Sequence, residues 1–201
     1  MLKTLDIAFR LTIVTLALTG LAYPLAMTVL AQTLFPGRAN GSLVTGPGGR
    51  IVGSELIGQA FAGPAYFHPR PSAAGDGYDA TNSGASNLGP TSAKLRDRVG
   101  AEVTRLSKEN PGAHDPVPAD LATTSASGLD PHISPEAAFW QVPRVAQARA
   151  VDEERVKSLV AAYTESRDLG FLGERRLNVL LLNLALDQEL GHQVPGAKGA
   201  P

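Results

Sequence analysis

The sequence predicts an α/β (α+β) soluble domain anchored by one N-terminal transmembrane helix, and three observations carry that prediction. From Leu11 to Phe35 the chain reads LTIVTLALTGLAYPLAMTVLAQTLF, with no charged side chain between Arg10 and Arg38. About 20 such residues cross a hydrocarbon core of roughly 30 Å as a helix. Beyond the span, capped amphipathic periodicities alternate with short strand signals and Gly/Pro turns. What remains, roughly 150 residues, suits one domain. The organisation is therefore a short N-terminal segment (1–10), the transmembrane helix (11–35), a soluble domain (36–193) and a flexible tail (194–201).

Within the span, Pro24 has no N–H, so the carbonyl of Gly20 loses its usual partner and a kink is expected. Thr12, Thr15, Thr19, Ala22, Ala26 and Thr33 recur at steps of three, four or seven. Such a stripe of small side chains lets helix backbones approach closely in lipid, although Thr and Ala are also simply tolerated there. A cleaved signal peptide is the second reading, from Lys3, Arg10 and the Val29-Leu30-Ala31 site, but the apolar run is longer than a typical signal core. Lys3 and Arg10 on one side nearly balance Arg38 and Arg50 on the other, so charge does not orient the helix.

In the soluble part, Ser42-Leu43-Val44, Gly46-Pro47-Gly48-Gly49 and Arg50-Ile51-Val52 read as a hairpin. Ser54 caps one or two helical turns over Gly53–Gln59. Gly63–Pro90 is too rich in Gly, Pro, Asn, Asp and Ser for a regular element, while Tyr66, Phe67, Tyr78 and Leu88 give it something to pack, which predicts a long ordered loop. Thr91–Glu109 is an amphipathic helix with a Thr91 or Ser92 cap and an apolar face of Leu95, Val99, Val103 and Leu106. Ala113–Ile133 is irregular. Ser134-Pro135 then opens a helix that Pro143 breaks or restarts. From Asp152, Val156, Leu159, Val160 and Tyr163 mark a core helix. Gly170–Gly173 is a turn, Asn178–Leu186 a buried strand with helix as the alternative, and the tail from His192 is frayed.

The chemistry that these residues permit is narrow. Net charge is −1 with Lys and Arg scattered, which carries no nucleic-acid footprint. With Cys at 0, disulfides, thiolate metal sites and cysteine nucleophiles are excluded. There is no Gly-rich loop ending in Gly-Lys-Ser/Thr, and Gly75–Ala80 imitates a dinucleotide fingerprint without its preceding strand. His68, His114, His132 and His192 lack metal-ligand spacing, and Asp76, Asp79 and Asn82 lack the EF-hand pattern, so no metal is expected. Ser127, Asp130 and His132 have the residue types of a triad without a nucleophile elbow. A membrane-tethered hydrolase using Ser127 and His132 is one alternative, and a stand-alone membrane-anchored ligand-binding module is another.

Several blocks resemble one family in order along nearly the whole chain. They include Thr19-Gly20-Leu21-Ala22-Tyr23-Pro24-Leu25, Gly53-Ser54-Glu55-Leu56-Ile57-Gly58-Gln59, Tyr66-Phe67-His68-Pro69-Arg70-Pro71-Ser72 and Ser86-Asn87-Leu88-Gly89-Pro90. Further along come the run Ser127 to Ala138, then Gln141-Val142-Pro143-Arg144-Val145-Ala146 and Asn183-Leu184-Ala185-Leu186-Asp187. Together they resemble the C subunit of the Kdp-type potassium-transporting P-type ATPase. Ala85, where a second glycine is usual, and Arg175-Arg176, where a Pro-containing turn is usual, are departures.

The resemblance implies a non-catalytic accessory subunit of the bacterial inner membrane, single-pass, with its domain extracytoplasmic. It also implies a pore-forming potassium subunit and an ATP-hydrolysing P-type subunit as partners, besides membrane lipid. The chain itself has neither an Asp-Lys-Thr-Gly phosphorylation motif nor a Thr-Val-Gly-Tyr-Gly filter. No cofactor is expected on the chain alone. A catalytic-chaperone role that raises the motor's ATP affinity is implied, with Gln59 as a nucleotide contact possible only alongside the motor subunit. Thr15, Thr19, Ala22 and Ala26 in the span, and Tyr66, Phe67, His68, Arg70, Asp130 and His132 in the loops, are expected to dock partners.

Overall fold

A computed structural model describes residues 2–191. The expected tail, including His192 and segment 194–201, lies outside the described residues. The chain forms two compact units, Met1–Leu43 and Val44–Pro201.

The first unit is a helix of 33 residues, Leu2–Leu34, long and apolar enough to cross a membrane, with none of its window buried. At about 1.5 Å per residue it reaches roughly 50 Å, more than a hydrocarbon core of roughly 30 Å requires. It starts at Leu2 rather than Leu11. The first segment is thus helical as well, braced by an Asp6–Arg10 pair at 3.0 Å and i,i+4 spacing. Pro24 is accommodated by a π-turn: α1 (Leu2–Ala17) passes through Leu18–Ala22, where the Tyr23 N–H bonds the Leu18 carbonyl, into α2 (Tyr23–Leu34). A π-bulge is one of the physical causes of helix distortion, and here it replaces a simple proline kink. Phe35 leaves the helical region at φ −137, and one turn, α3 (Pro36–Ala39), comes next. The Gln32 and Asn40 side-chain amides exchange hydrogen bonds across this corner at 3.4 and 3.2 Å.

The predicted hairpin is present as β1 (Leu43–Thr45) and β2 (Ile51–Ser54) around a 3-10 turn at Pro47–Gly49. The helix expected over Gly53–Gln59 does not form. Gly53 and Ser54 belong to β2, and the Ser54 hydroxyl accepts from the Leu56 N–H in a turn instead of opening a helix. Residues 63–90 contain no helix or strand. Helix α4 (Ala93–Glu109) has Ser92 as its cap and buries Leu106, with Leu95, Val99 and Val103 half-buried beside it. One turn, α5 (Ala119–Ala122), carries the buried Leu121. Short β3 (His132–Ile133) leads into α6 (Pro135–Arg149), whose cap Ser134 accepts from the Ala137 N–H. Pro143 lies inside α6 and does not break it. The burial of Gln141, Val142, Arg144 and Val145 around it holds the helix through the missing N–H.

Helix α7 (Glu153–Ala162) starts on the Asp152 cap and buries Val156, Leu159 and Val160, while Tyr163 ends it at the surface. The run Asn178–Leu186 is not a strand. Only Leu177–Asn178 is extended, as β4 antiparallel to β3 with Ile133 opposite Leu177, and the rest is α8 (Val179–Leu190). The reason is local. Asn178 caps the helix by accepting from the Leu181 N–H at 3.2 Å, and apolar residues all round fit a helix buried on most sides. Helix α7 packs on both α6 and α8. The core holds Val142, Val145, Val156, Val160, Leu182 and Leu186, together with the fully buried Phe67 and Ile133.

Candidate functional site

The segment Pro64–Ser72 has no strand neighbour, so its backbone groups must find other partners. They find side chains of the core helices. Asn183, in the middle of apolar α8, accepts from the Phe67 N–H at 2.8 Å and donates to the Phe67 carbonyl at 2.9 Å. Gln141 on α6 does the same for His68, at 2.8 and 3.1 Å. Two buried amides thus imitate the edge of a β-strand. Arg144 donates to the carbonyls of Pro64 (2.6 Å) and Tyr66 (3.0 Å). Burial lowers the Arg144 pKa to about 10, which leaves it cationic at neutral pH.

Arg149, with no exposed side-chain surface, donates to the Ala65 carbonyl at 2.7 Å and to Asp187 at 2.8 Å. Its guanidinium also lies 4.9 Å from the centre of the Tyr66 ring, and the Tyr66 hydroxyl donates to Asp187 at 3.0 Å. Burial, with Asp187 close by, pushes the Tyr66 hydroxyl pKa up, so it stays a donor.

This clasp places each expected docking residue. Phe67 is fully buried, so its ring is core and the surface of the segment belongs to its neighbours. His68 is half-buried and meets the Gly63 carbonyl through Nε2 at 3.0 Å, which makes that nitrogen the protonated one. Burial, then Arg144, lower its pKa below the ordinary value of 6.5 and keep the ring neutral. Arg70 pairs with Asp130 at 3.1 Å, joining the Tyr66–Pro71 loop to the Gly128–Pro135 loop. Burial works to raise the Asp130 pKa, but hydrogen bonds from His132 and the Arg70 cation hold it below the usual range. His132 lies 3.5 Å from Asp130 through Nδ1.

The two loops are locked at further points. The Ser72 hydroxyl donates to the Gly128 carbonyl at 2.6 Å and accepts from the Tyr78 N–H at 2.8 Å. The Tyr78 hydroxyl, its pKa pushed up to about 12 by burial, donates to the Arg70 carbonyl. Gly128 sits at φ +68, and a Cβ there would meet Ala74 N and Gly84 O at 2.6 Å each. A Cβ on Gly58 would meet the Asp130 carbonyl at 2.6 Å, beside the Gly58 N–H bond to Leu129 O. Only glycine permits these backbone approaches.

Ser127 is exposed, and its hydroxyl accepts from the Leu129 N–H at 3.1 Å. The described hydrogen bonds include none between Ser127 and His132, so the Asp130–His132 pair has no serine in line. Asp79 receives both the N–H and the hydroxyl of Thr81, and no three acidic or histidine side chains among the described residues gather as metal ligands.

Gln59 donates to the Val52 carbonyl at 3.1 Å, with its carbonyl oxygen buried against Gly53 and without a hydrogen-bond partner among the described residues. It borders a cavity of about 400 Å³ with Phe61, Tyr66, Leu180, Leu184 and Asp187. In the span, the hydroxyls of Thr12, Thr15, Thr19 and Thr33 all return to carbonyls four residues back, leaving methyl groups outward. The π-turn inserts one residue and so rotates the remainder of the helix by about 100°. Ala26 therefore leaves the line of Thr15 and Thr19, with Ala22 at the turn itself.

The residues that sequence reasoning left without roles are Gln141, Arg144, Arg149, Asn183 and Asp187. Their signal was present as polar groups interrupting apolar helical faces.

The family described as KdpC, K+-transporting ATPase, c chain, matches residues 5–188. The Potassium-transporting ATPase KdpC subunit of Myxococcus xanthus is 61% identical, covering 99% of this chain and 94% of that one. The corresponding subunit of Rhodospirillum rubrum is 59% identical over 94% and 97% of the two chains, and that of Koribacter versatilis 54% over 93% and 95%.

Proposed function

This chain belongs to the KdpC family, the accessory c chain of the K+-transporting ATPase, and on that footing we propose that it holds the pump's pore-forming and ATP-hydrolysing subunits together. The observation that carries this reading is the locking of two loops into one rigid ridge. Arg70–Asp130 and Ser72–Gly128 join Tyr66–Ser72 to Gly128–Pro135 with no strand pairing between the two, and the close approaches of Gly58 to Asp130 and of Gly128 to Ala74 and Gly84 hold the second loop in place. A preorganised surface loses little freedom when it docks. The ridge presents Tyr66, His68, Arg70, Asp130 and His132 to the pore-forming subunit on the extracytoplasmic side, and the span packs its Thr15–Thr19 face on a partner helix within the inner membrane.

An influence on ATP affinity is then a coupling free energy passed through the partners, because a domain outside the membrane cannot reach cytoplasmic nucleotide. The Gln59 side chain, tied to Val52 and backed onto Gly53, supports an indirect role of this kind.

Topology tests the reading. With Cys at 0 in the natural sequence, a Ser127→Cys variant assembled with its partner subunits offers one exposed thiol. A membrane-impermeant reagent is expected to label it in cells whose outer membrane alone is permeabilised. Labelling only after the inner membrane is opened would place the domain in the cytoplasm and make Gln59 a direct nucleotide candidate.

A further inference from the structure

The chain that follows α4 helps to form a cavity that has no part in the two-loop ridge. Residues from 112 to 118, with α6 and α7, line a space of about 680 Å³, within the size range of small-molecule sites. Its wall is fixed by specific contacts. The Trp140 indole N–H donates to the Asp115 carbonyl at 3.0 Å, and the Asn110 side-chain amide donates to the Trp140 carbonyl. Gly112 passes so close to α6 that a Cβ there would meet the Pro143 ring at 3.1 Å. From α6, Glu136, Phe139, Trp140 and Pro143 line the space at helical steps of three, four and seven, which is one face of the helix. On that face Pro143 has no N–H to give the Phe139 carbonyl, so the usual helix bond is missing there.

We propose that this cavity binds an aliphatic diamine or a longer polyamine. Charge selects the sign of the ligand. Asp115, Glu136 and Glu153 line the cavity against one cation, Lys157, with His114 counted as neutral at pH 7. Lys157 is itself shared, lying 3.7 Å from Glu153 and 2.8 Å from Glu154, whereas Asp115 and Glu136 have no ion pair among the described residues. The N-termini of α6 and α7 favour negative charge, but Glu136 and Glu153 already stand in their first turns. An anion from solution would therefore meet three carboxylates, and a cation is drawn in instead. The walls then choose an organic amine over a bare metal ion. Phe139, 43% exposed, and Trp140 supply aromatic surface that attracts ammonium groups and packs alkyl chains. The Phe139 carbonyl, lacking its helix partner, accepts an ammonium N–H. Among the described residues no three acidic or histidine side chains gather as metal ligands. The surplus of carboxylates calls for more than one ammonium group, and a single lysine side chain from another protein would fill only part of the space.

The site stands independently of the subunit reading, and one residue reports on it. Trp occurs once in the chain, so the emission of Trp140 in the purified full chain follows this cavity directly. Titration with 1,4-diaminobutane at constant ionic strength is expected to change that emission saturably, with half-saturation at about 1 mM or below. Butylamine, with one ammonium group, should need about tenfold more, and potassium chloride should give no saturable change. Glu136→Gln and Phe139→Ala, both at exposed positions, should each raise the diamine midpoint about fivefold with the unfolding temperature of the parent chain kept. Glu174→Gln, away from the cavity, should leave the midpoint where it is. The site is overturned by a parent chain that shows no saturable change, by a potassium chloride response equal to the diamine's, or by folded variants that titrate as the parent does. Equal midpoints for butylamine and the diamine overturn the assignment to a diamine. Saturation by a lysine-containing peptide and not by the diamine overturns the small amine in favour of a protein partner.

Discussion

Segments 64–72 and 165–176 are both connections that lack a sheet to join, and they solve the problem in opposite ways. The first takes its hydrogen bonds from far along the chain: Asn183 serves Phe67 from 116 residues away and Gln141 serves His68 from 73. That exchange draws the segment inward, so Phe67 becomes core. The second bonds to itself across four or eleven positions and closes with surface ion pairs, so Leu169 and Phe171 stay outside. An irregular segment is part of the core when buried helix side chains supply its backbone partners. When it supplies its own, it is an appendage.

That contrast predicts a graded response to substitution. Arg149→Met should have the largest effect, because it removes both the cation paired with Asp187 and the donor to the Ala65 carbonyl. Breaking one side of a buried pair costs about 3–5 kcal/mol, measured by thermal or denaturant unfolding of the full chain in detergent. Asn183→Leu keeps the volume but leaves the N–H and carbonyl of Phe67 buried without partners, and a loss of about 2–4 kcal/mol is expected from the unmet groups. A loss near zero would mean that the segment holds itself in place as segment 165–176 does.

His68 adds a pH dependence to the first segment alone. Its folded pKa lies below the unfolded value, so its contribution is complete above about pH 6.5. It is lost as the pH falls from there through the folded pKa, since the unfolded chain takes up a proton that the buried ring refuses. Unfolding midpoints at about pH 7.5 and pH 5 should show a smaller drop in His68→Gln than in the parent chain. The smallest effect belongs to segment 165–176. Removing Arg167 and Glu174 together should cost less than about 1 kcal/mol, as exposed pairs do.

The helices were legible because their signals are local. Ser92, Ser134 and Asp152 are caps whose side chains bond within three residues, and the faces of α4 and α7 follow from spacing alone. The family was legible for a different reason, since motifs in fixed order need no geometry to be recognised. The expected helix at Ser54 failed because the same hydroxyl can close a turn as readily as a helix. Asn178–Leu186 was ambiguous because an apolar run buried on most sides has no period to read. Its cap, Asn178, was the deciding residue in plain sight.

The sequence by itself determined the apolar span, the capped helices and the glycine-rich loops. Tertiary structure alone decided that Asn183, Gln141, Arg144 and Arg149 reach out of apolar helix faces to hold Ala65–His68 in place, and that Leu169 and Phe171 stay exposed. The physical reason is separation. Caps and periodicities act over one or two turns, whereas a buried amide finds a backbone partner 116 residues away only when the core has already brought the two together.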